Sequence, residues 1–245
     1  MITTDPLIFS RYNIRQVYIS DALDIFKSRF MKTYNLVGYR DIKSVSMFFG
    51  MYNKKDFDVL FKHQGDKYIL WGGTDCNDNY SVRKENLEMI SKYKNIKHFS
   101  ISKNIQERLS KYNIKSEYIY INMVNTDIFF PRKQKGDKIY IYNGHKKGNE
   151  YLYGKNIYTQ IMNLLPQFQY ILSNTLNKSY EKMGDVYSEC FIGLRLTDRD
   201  GNANTVQEFE AMNIPIVHNQ SDYGLKWKRI HDIIKHINDH SIKRK

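Results

Sequence analysis

Short apolar runs alternate with amphipathic segments along the whole chain, and this alternation restricts the fold more than any other feature. The runs "SVSMFFG" (44–50), "FDVLFKH" (57–63), "KYILW" (67–71), "IKHFSIS" (96–102) and "EYIYIN" (117–122) read as strands. A second set follows in "KIYIYNG" (138–144), "FQYILS" (168–173), "CFIGLRL" (190–196) and "IPIVHN" (214–219). Several are continuously apolar rather than alternating, as strands covered on both faces should be. Between them, 81–94, 103–112, 155–165, 180–188 and 204–213 carry amphipathic spacing that predicts helices. Strand alternating with helix predicts parallel α/β architecture.

The best boundary is "VNTDIFFPRKQKGDK" (124–138), where a proline, a glycine and a basic cluster separate two α/β runs. A chain of 245 residues with 41% apolar content can build two cores. The expected organisation is therefore two Rossmann-like domains, 1–130 and 131–225. A terminal helical segment, 226–245, follows them, with Trp227, Ile230, Ile233, Ile234 and Ile237 at helical spacing. No apolar run approaches the ~18 residues of a membrane span. "MITTDPLIFSRYN" lacks the basic region and apolar core of a signal peptide. Cys76 and Cys190 lie far apart with no Cys-x-x-Cys. These features suit a reducing, cytoplasmic location. The net charge of +12 suits anionic partners, whether nucleotides, phosphates, nucleic acid or a membrane surface.

The chemistry concentrates in "RLTDRDGNANTVQEFEAMNIPIV", Arg195 to Val217. Asp198 and Asp200 invite a metal reading. The alternative pairs Asp200 with Glu208 across a glycine turn and a helix start. Asn204 suits an N-cap, with Gln207 three positions on completing a capping-box pattern. The first-turn amides of such a helix, at the carboxyl edge of a parallel sheet, form an anion site suited to a pyrophosphate. Gly201 permits close backbone approach, and Glu208 lies one turn in, where a carboxylate can accept from ribose hydroxyls. An ordinary strand–turn–helix with a capping network fits the same residues.

Taken with "YEKMGDVYSECFIGLRLT" upstream and Pro215-Ile216-Val217 downstream, this stretch resembles the GT-B-fold glycosyltransferases of the family-four, "group 1" retaining type. The match covers about 180–217, and "NTDIFFPR" (125–132) resembles the same family's linker. The resemblance implies two Rossmann-like domains facing a cleft, with the N-terminal, acceptor-side half reduced in so short a chain. It implies sugar transfer from a nucleotide-diphosphate donor to a glycan, protein or lipid acceptor, with retention and no metal or other cofactor. It implies that Glu208 binds the ribose and that Asp200 faces the donor sugar. Gly201, Asn204 and Thr205 would hold the phosphates. Arg195 and Lys155 would offset the leaving diphosphate, with Lys146 and Lys147 as competitors and Gly144 and His145 as further donor contacts. The sequence departs from the family at Asp200, where Glu is usual, at Phe209, where Ala is usual, and at Asn213, where Gly is usual.

In the first half, Gly72, Gly73 and Asp75 follow a strand and could contact an acceptor, or form a tight turn with a capping acid. His231, His236 and His240 lack zinc-ligand spacing. Three other readings stand beside glycosyl transfer. One is a metal-dependent transferase using Asp198 and Asp200. Another is a nucleotide-sugar or glycan-binding module without turnover. The third is a basic nucleic-acid-binding protein, for which the aromatics could stack on bases but no recognition motif is present. The expected partners are a nucleotide-sugar donor and an acceptor, with at most peripheral membrane contact.

Overall fold

The computed structural model describes residues 7–133, 136–144, 148–197, 200, 203–221 and 223–242. The chain divides into two compact units, Met1–Met123 and Val124–Lys245. The division thus falls before the expected 130/131 boundary. Its cause is apolar: Phe129 is fully buried in the second unit's core, with Val124 and Ile128 packed against that core. The terminal helix likewise belongs to the second unit, through Ile233 and Ile237.

The first unit runs β1 (Gln16–Ile19), α1 (Asp24–Thr33), β2 (Val37–Gly38), β3 (Ser46–Phe49), α2 (Lys54–Lys62), β4 (Lys67–Trp71), α3 (Ser81–Ile90), β5 (Ile96–Ser100), α4 (Lys103–Ser110) and β6 (Glu117–Tyr118). Its six strands are parallel, in the order β2-β1-β3-β4-β5-β6. This unit, expected to be the reduced one, carries the larger sheet. "FDVLFKH" is helix rather than strand. The Asn53 side chain accepts from the Asp56 amide at 3.1 Å, and Asp56 accepts from the Asn53 amide at 2.9 Å. That capping box starts α2. Phe57 and Leu60, three apart, then face the core as a helix requires.

The second unit runs β7 (Lys138–Ile141), α5 (Lys155–Leu164), β8 (Tyr170–Leu172), α6 (Met183–Ser188), β9 (Cys190–Leu194), α7 (Asn204–Ala211), β10 (Ile216–Val217) and α8 (Ile230–Ile242). Its four parallel strands take the order β10-β9-β7-β8. Ile139 and Ile141 enter one core with α5 and α8, while Tyr140 and Tyr142 enter another with α6 and α7. The alternation along β7 is the two-residue period of a strand covered on both faces. From β7 the chain adds β8 on one side and then β9 on the other. The reversal lies between β7 and β9, where an open parallel sheet leaves a crevice at its carboxyl edge.

Asn213 closes α7 in the left-handed region, at φ 54°. Its amide donates to Glu210 at 2.9 Å, and the Ile214 amide donates to Phe209 at 3.0 Å. Asparagine accepts this conformation at low cost, so the turn forms without a glycine. Phe209 is accommodated by a glycine elsewhere: a Cβ at Gly193 of β9 would lie 2.7 Å from its ring. Among the described residues, no helix is long and apolar enough to cross a membrane.

Candidate functional site

Arg195 continues β9 at the carboxyl edge and is buried, only 7% exposed. Its Nη2 donates to Asp200 Oδ1 at 2.8 Å, and its Nε donates to Oδ2 of the same carboxylate. Nη1 reaches Thr205 Oγ1 at 3.5 Å. The guanidinium also lies 3.9 Å from the Tyr142 ring centroid and 5.5 Å from that of Tyr153, within cation–π range. Burial pushes the Asp200 carboxyl up, but the Arg195 charge and its hydrogen bonds prevail and hold it below its ordinary value. Burial likewise acts to lower Arg195, and Asp200 more than offsets it. The structure thus brings Arg195, Asp200 and Thr205 together as one bidentate, aromatic-flanked ion pair.

Other expected residues lie around this pair in different roles. Glu208 is buried, and its Oε2 accepts from the Tyr187 hydroxyl at 3.1 Å. Asn204 is not the N-cap of α7. The helix begins at Asn204 itself, leaving Ala203 as the cap with no side-chain oxygen to offer. The capping box with Gln207 is therefore not made. Gly144 follows β7 at φ 95°, and its carbonyl accepts from the Ser173 hydroxyl at 2.8 Å. His145, Lys146, Lys147, Asp198 and Gly201 lie outside the described residues.

Beside the ion pair is a cavity of about 490 Å³, lined by Tyr151, Lys155, Thr197, Asn219, Gln220 and Trp227 among others. Its size is ordinary for a small-molecule site. The loops after β7, β9 and β10 all contribute to it. Lys155 is exposed at the first position of α5, whose N-cap, Gly154, has no side chain to satisfy the helix amides. Gly154 sits at φ 73°, and a Cβ there would meet the Leu196 carbonyl at 2.6 Å. The glycine is therefore what lets the loop after β7 touch the loop after β9. Asn219 holds the far wall: its Nδ2 donates to the Trp227 carbonyl at 2.8 Å, and its Oδ1 accepts from the Trp227 amide at 3.0 Å.

Among the described residues, two buried ring nitrogens at this edge have no hydrogen-bond partner, His218 Nε2 and Trp227 Nε1. His218 is fully buried, and its Nδ1 lies 3.1 Å from the Arg195 carbonyl. A carbonyl only accepts, so Nδ1 carries the proton. Burial lowers the ring's pKa to about 4, so the ring is neutral and Nε2 is a bare lone pair. Each such stranded group costs on the order of 1–3 kcal/mol. Sequence reading missed His218 and Asn219 because "IPIVHN" looked like one strand, whereas β10 ends at Val217. It read Trp227 only as part of an apolar helical face. Tyr142 and Tyr153, which flank Arg195, carried no motif.

In the first unit, Asp75 is fully buried, accepting from the Gly73 amide at 2.8 Å and the Gly72 amide at 3.1 Å. The Gly72–Asp75 turn is thus closed on itself. Among the described residues, no group of three or more His, Cys, Asp or Glu could hold a metal ion. A scan against protein-family models and a search of curated proteins both find no match.

Proposed function

We propose that the second unit binds a nucleotide-diphosphate sugar at the carboxyl edge of its sheet and that the chain is a glycosyltransferase. The observation that carries this reading is the cavity at the strand-order reversal. It has Lys155 at a helix start on one wall and the Arg195–Asp200 pair beside it. In this reading Lys155 and Arg195 stabilise the charge that develops on the departing diphosphate, and no metal is required. Asp200 faces the sugar and Glu208 the ribose. The acceptor hydroxyl attacks from the leaving-group side, and the anomeric configuration is retained.

A second reading has its own support: a nucleotide-sugar-binding module without turnover. Both Asp200 oxygens are held by Arg195, and Glu208 is buried against Tyr187. Transfer requires at least one of them to turn to the donor.

A thermal-shift panel of nucleoside diphosphates and their sugar conjugates tests the shared premise, because a bound ligand stabilises in proportion to RT ln(1 + [L]/Kd). We expect at least one to raise the midpoint and Glu208→Ala to remove the rise. No rise with any diphosphate would sink both readings. Release of free nucleoside diphosphate from the conjugate that binds, measured with and without a chelator, then separates transferase from binding module. Activity lost to the chelator and restored by Mg²⁺ or Mn²⁺ would overturn the metal-free mechanism.

A further inference from the structure

We propose that a cavity at the amino edge of the first unit's sheet binds a small organic acid, with the His98 imidazole N–H as its inner donor and Lys94 and Lys115 holding its charge. The cavity measures about 340 Å³, and Ile90, Ile96 and Ile114 supply its apolar wall. That volume is in the range of small-molecule sites. The site lies at the start of β5, beside the ends of α3 and α4, and it does not depend on the donor reading of the second unit.

His98 carries the inference. Ile96 and His98, two apart in β5, line the cavity on one face of the sheet. Phe99 turns to the other face, where its ring stacks on Tyr68 at 5.3 Å. His98 is only 9% exposed. Its Nδ1 accepts from Trp71 Nε1 at 3.2 Å; an indole only donates, so the imidazole proton sits on Nε2. Burial lowers the ring's pKa to about 4, which leaves it neutral, with Nε2–H a donor at neutral pH. That donor has no partner among the described residues, and it is not sealed in. The ring nitrogens there that are both enclosed and unpartnered are His63 Nε2, His218 Nε2 and Trp227 Nε1, whereas His98 opens onto the cavity. What it lacks is an acceptor.

The rest of the lining matches an acid with an apolar body. No Asp or Glu lines the cavity, and its charged side chains are Lys94 and Lys115, both exposed. Lys115 makes no ion pair among the described residues. Lys94 donates once, to the Ser91 carbonyl at 3.3 Å, and an ammonium has three donors. The helix carbonyls at this edge are already spent. Met89 and Ile90 accept from the amides of Lys92 and Tyr93, and Leu109 and Ser110 from those of Ile114 and Asn113. Each lysine's full charge also exceeds the roughly half-charge of a helix carboxyl end. The unspent groups are therefore donors and cations around isoleucine side chains. An inorganic anion would leave that apolar wall wet, whereas an organic acid covers it.

The test is titration of the full chain with benzoate, followed by calorimetry and by the ring-nitrogen resonances of the histidines. We expect saturable binding that moves the His98 Nε2 resonance. The double variant Lys94→Met/Lys115→Met keeps both stems and removes both charges. It should weaken binding about tenfold, with the ligand-free unfolding midpoint unchanged because both side chains are exposed. Benzamide, of the same shape but neutral, should bind the native chain about tenfold more weakly than benzoate does. His98→Asn keeps an acceptor near the Trp71 indole and removes the inner donor, so it should abolish binding. If that variant fails to fold, the ring resonance of the native protein decides alone. No saturable binding, a His98 resonance that stays in place, or native affinity in the double variant overturns the proposal. Inorganic phosphate that competes as strongly as benzoate also overturns it, because the lysines would then be a bare charge patch. Nucleotide-sugar binding, present or absent, leaves each of these outcomes unchanged, so this site and the donor reading fail separately.

Discussion

The two sheets end in carboxyl edges of opposite character. At the first, Asp56 is fully buried and its carboxylate accepts from four donors. These are the Tyr18 and Ser20 hydroxyls, both at 2.9 Å, and the amides of Tyr52 and Asn53, at 2.8 and 2.9 Å. Asp75 is enclosed by its own turn, and Trp71 gives its Nε1–H to His98 Nδ1 at 3.2 Å. At the second edge, a buried ion pair stands beside a cavity, and two ring nitrogens have no partner among the described residues. Buried polar groups are normally satisfied, because leaving one stranded costs stability. An edge with its acids and its indole satisfied is finished structure, and one that keeps stranded groups at a cavity is the place to look for a ligand.

The contrast can be broken most forcefully at Asp56. Asp56→Asn turns an acceptor of four bonds into a group that must donate with one end, stranding buried partners. Chemical denaturation of the full chain should show a loss of roughly 3 kcal/mol, while the affinity for any nucleoside diphosphate that binds stays native. Weakened ligand binding in this variant would mean that the first edge is not merely structural.

Acid sharpens the comparison next. His98 and His218 both have pKa values lowered to about 4 by burial. In the unfolded chain such rings protonate near pH 6.5. Their stabilising contribution is therefore present above about pH 6.5 and is lost as pH falls toward 4, roughly 3 kcal/mol for each ring. Asp75, raised by burial, opposes this in the first unit, because folding favours its protonated form. Asp200, lowered by Arg195, adds to the acid loss in the second, at pH values below the ordinary carboxylate range. The two rings should also differ in tautomer. His98 accepts at Nδ1 from an indole that can only donate, so Nε2 carries its proton; in His218 the proton is on Nδ1. Nitrogen chemical shifts of the two histidines at neutral pH check this, and matching tautomers would remove the distinction.

The smallest expected effect is at Gly193. Alanine there presses on the buried Phe209 ring and should cost about 1–2 kcal/mol by overpacking. Gly193→Ala combined with Phe209→Leu should recover part of it, as read from unfolding midpoints.

Most strands were legible as continuous apolar runs, because parallel strands covered on both faces have no polar residue to interrupt them. β1 was missed because "QVYI" is only four residues long and carries a polar residue at its start. "FDVLFKH" misled because its strand-like apolar content outweighed the asparagine and aspartate that cap it as a helix. At the site, Arg195, Asp200 and Thr205 could be found from their place between strand and helix. Their bonding to one another could not, since a salt bridge five residues apart across a loop follows no period. Trp227 and His218 were beyond reach for the same reason: what marks them is an absent partner, which only three dimensions reveal.

Gly154 has one further consequence. The backbones of the loops after β7 and β9 meet at this residue with no room for a methyl group. Leu196, on the far side of that contact, forms part of the cavity wall and is the next link in the chain after Arg195. Any side chain at position 154 would therefore have to push the start of α5 away from the strand end that carries Arg195, so one missing methyl group sets the spacing between the cavity wall and the ion pair.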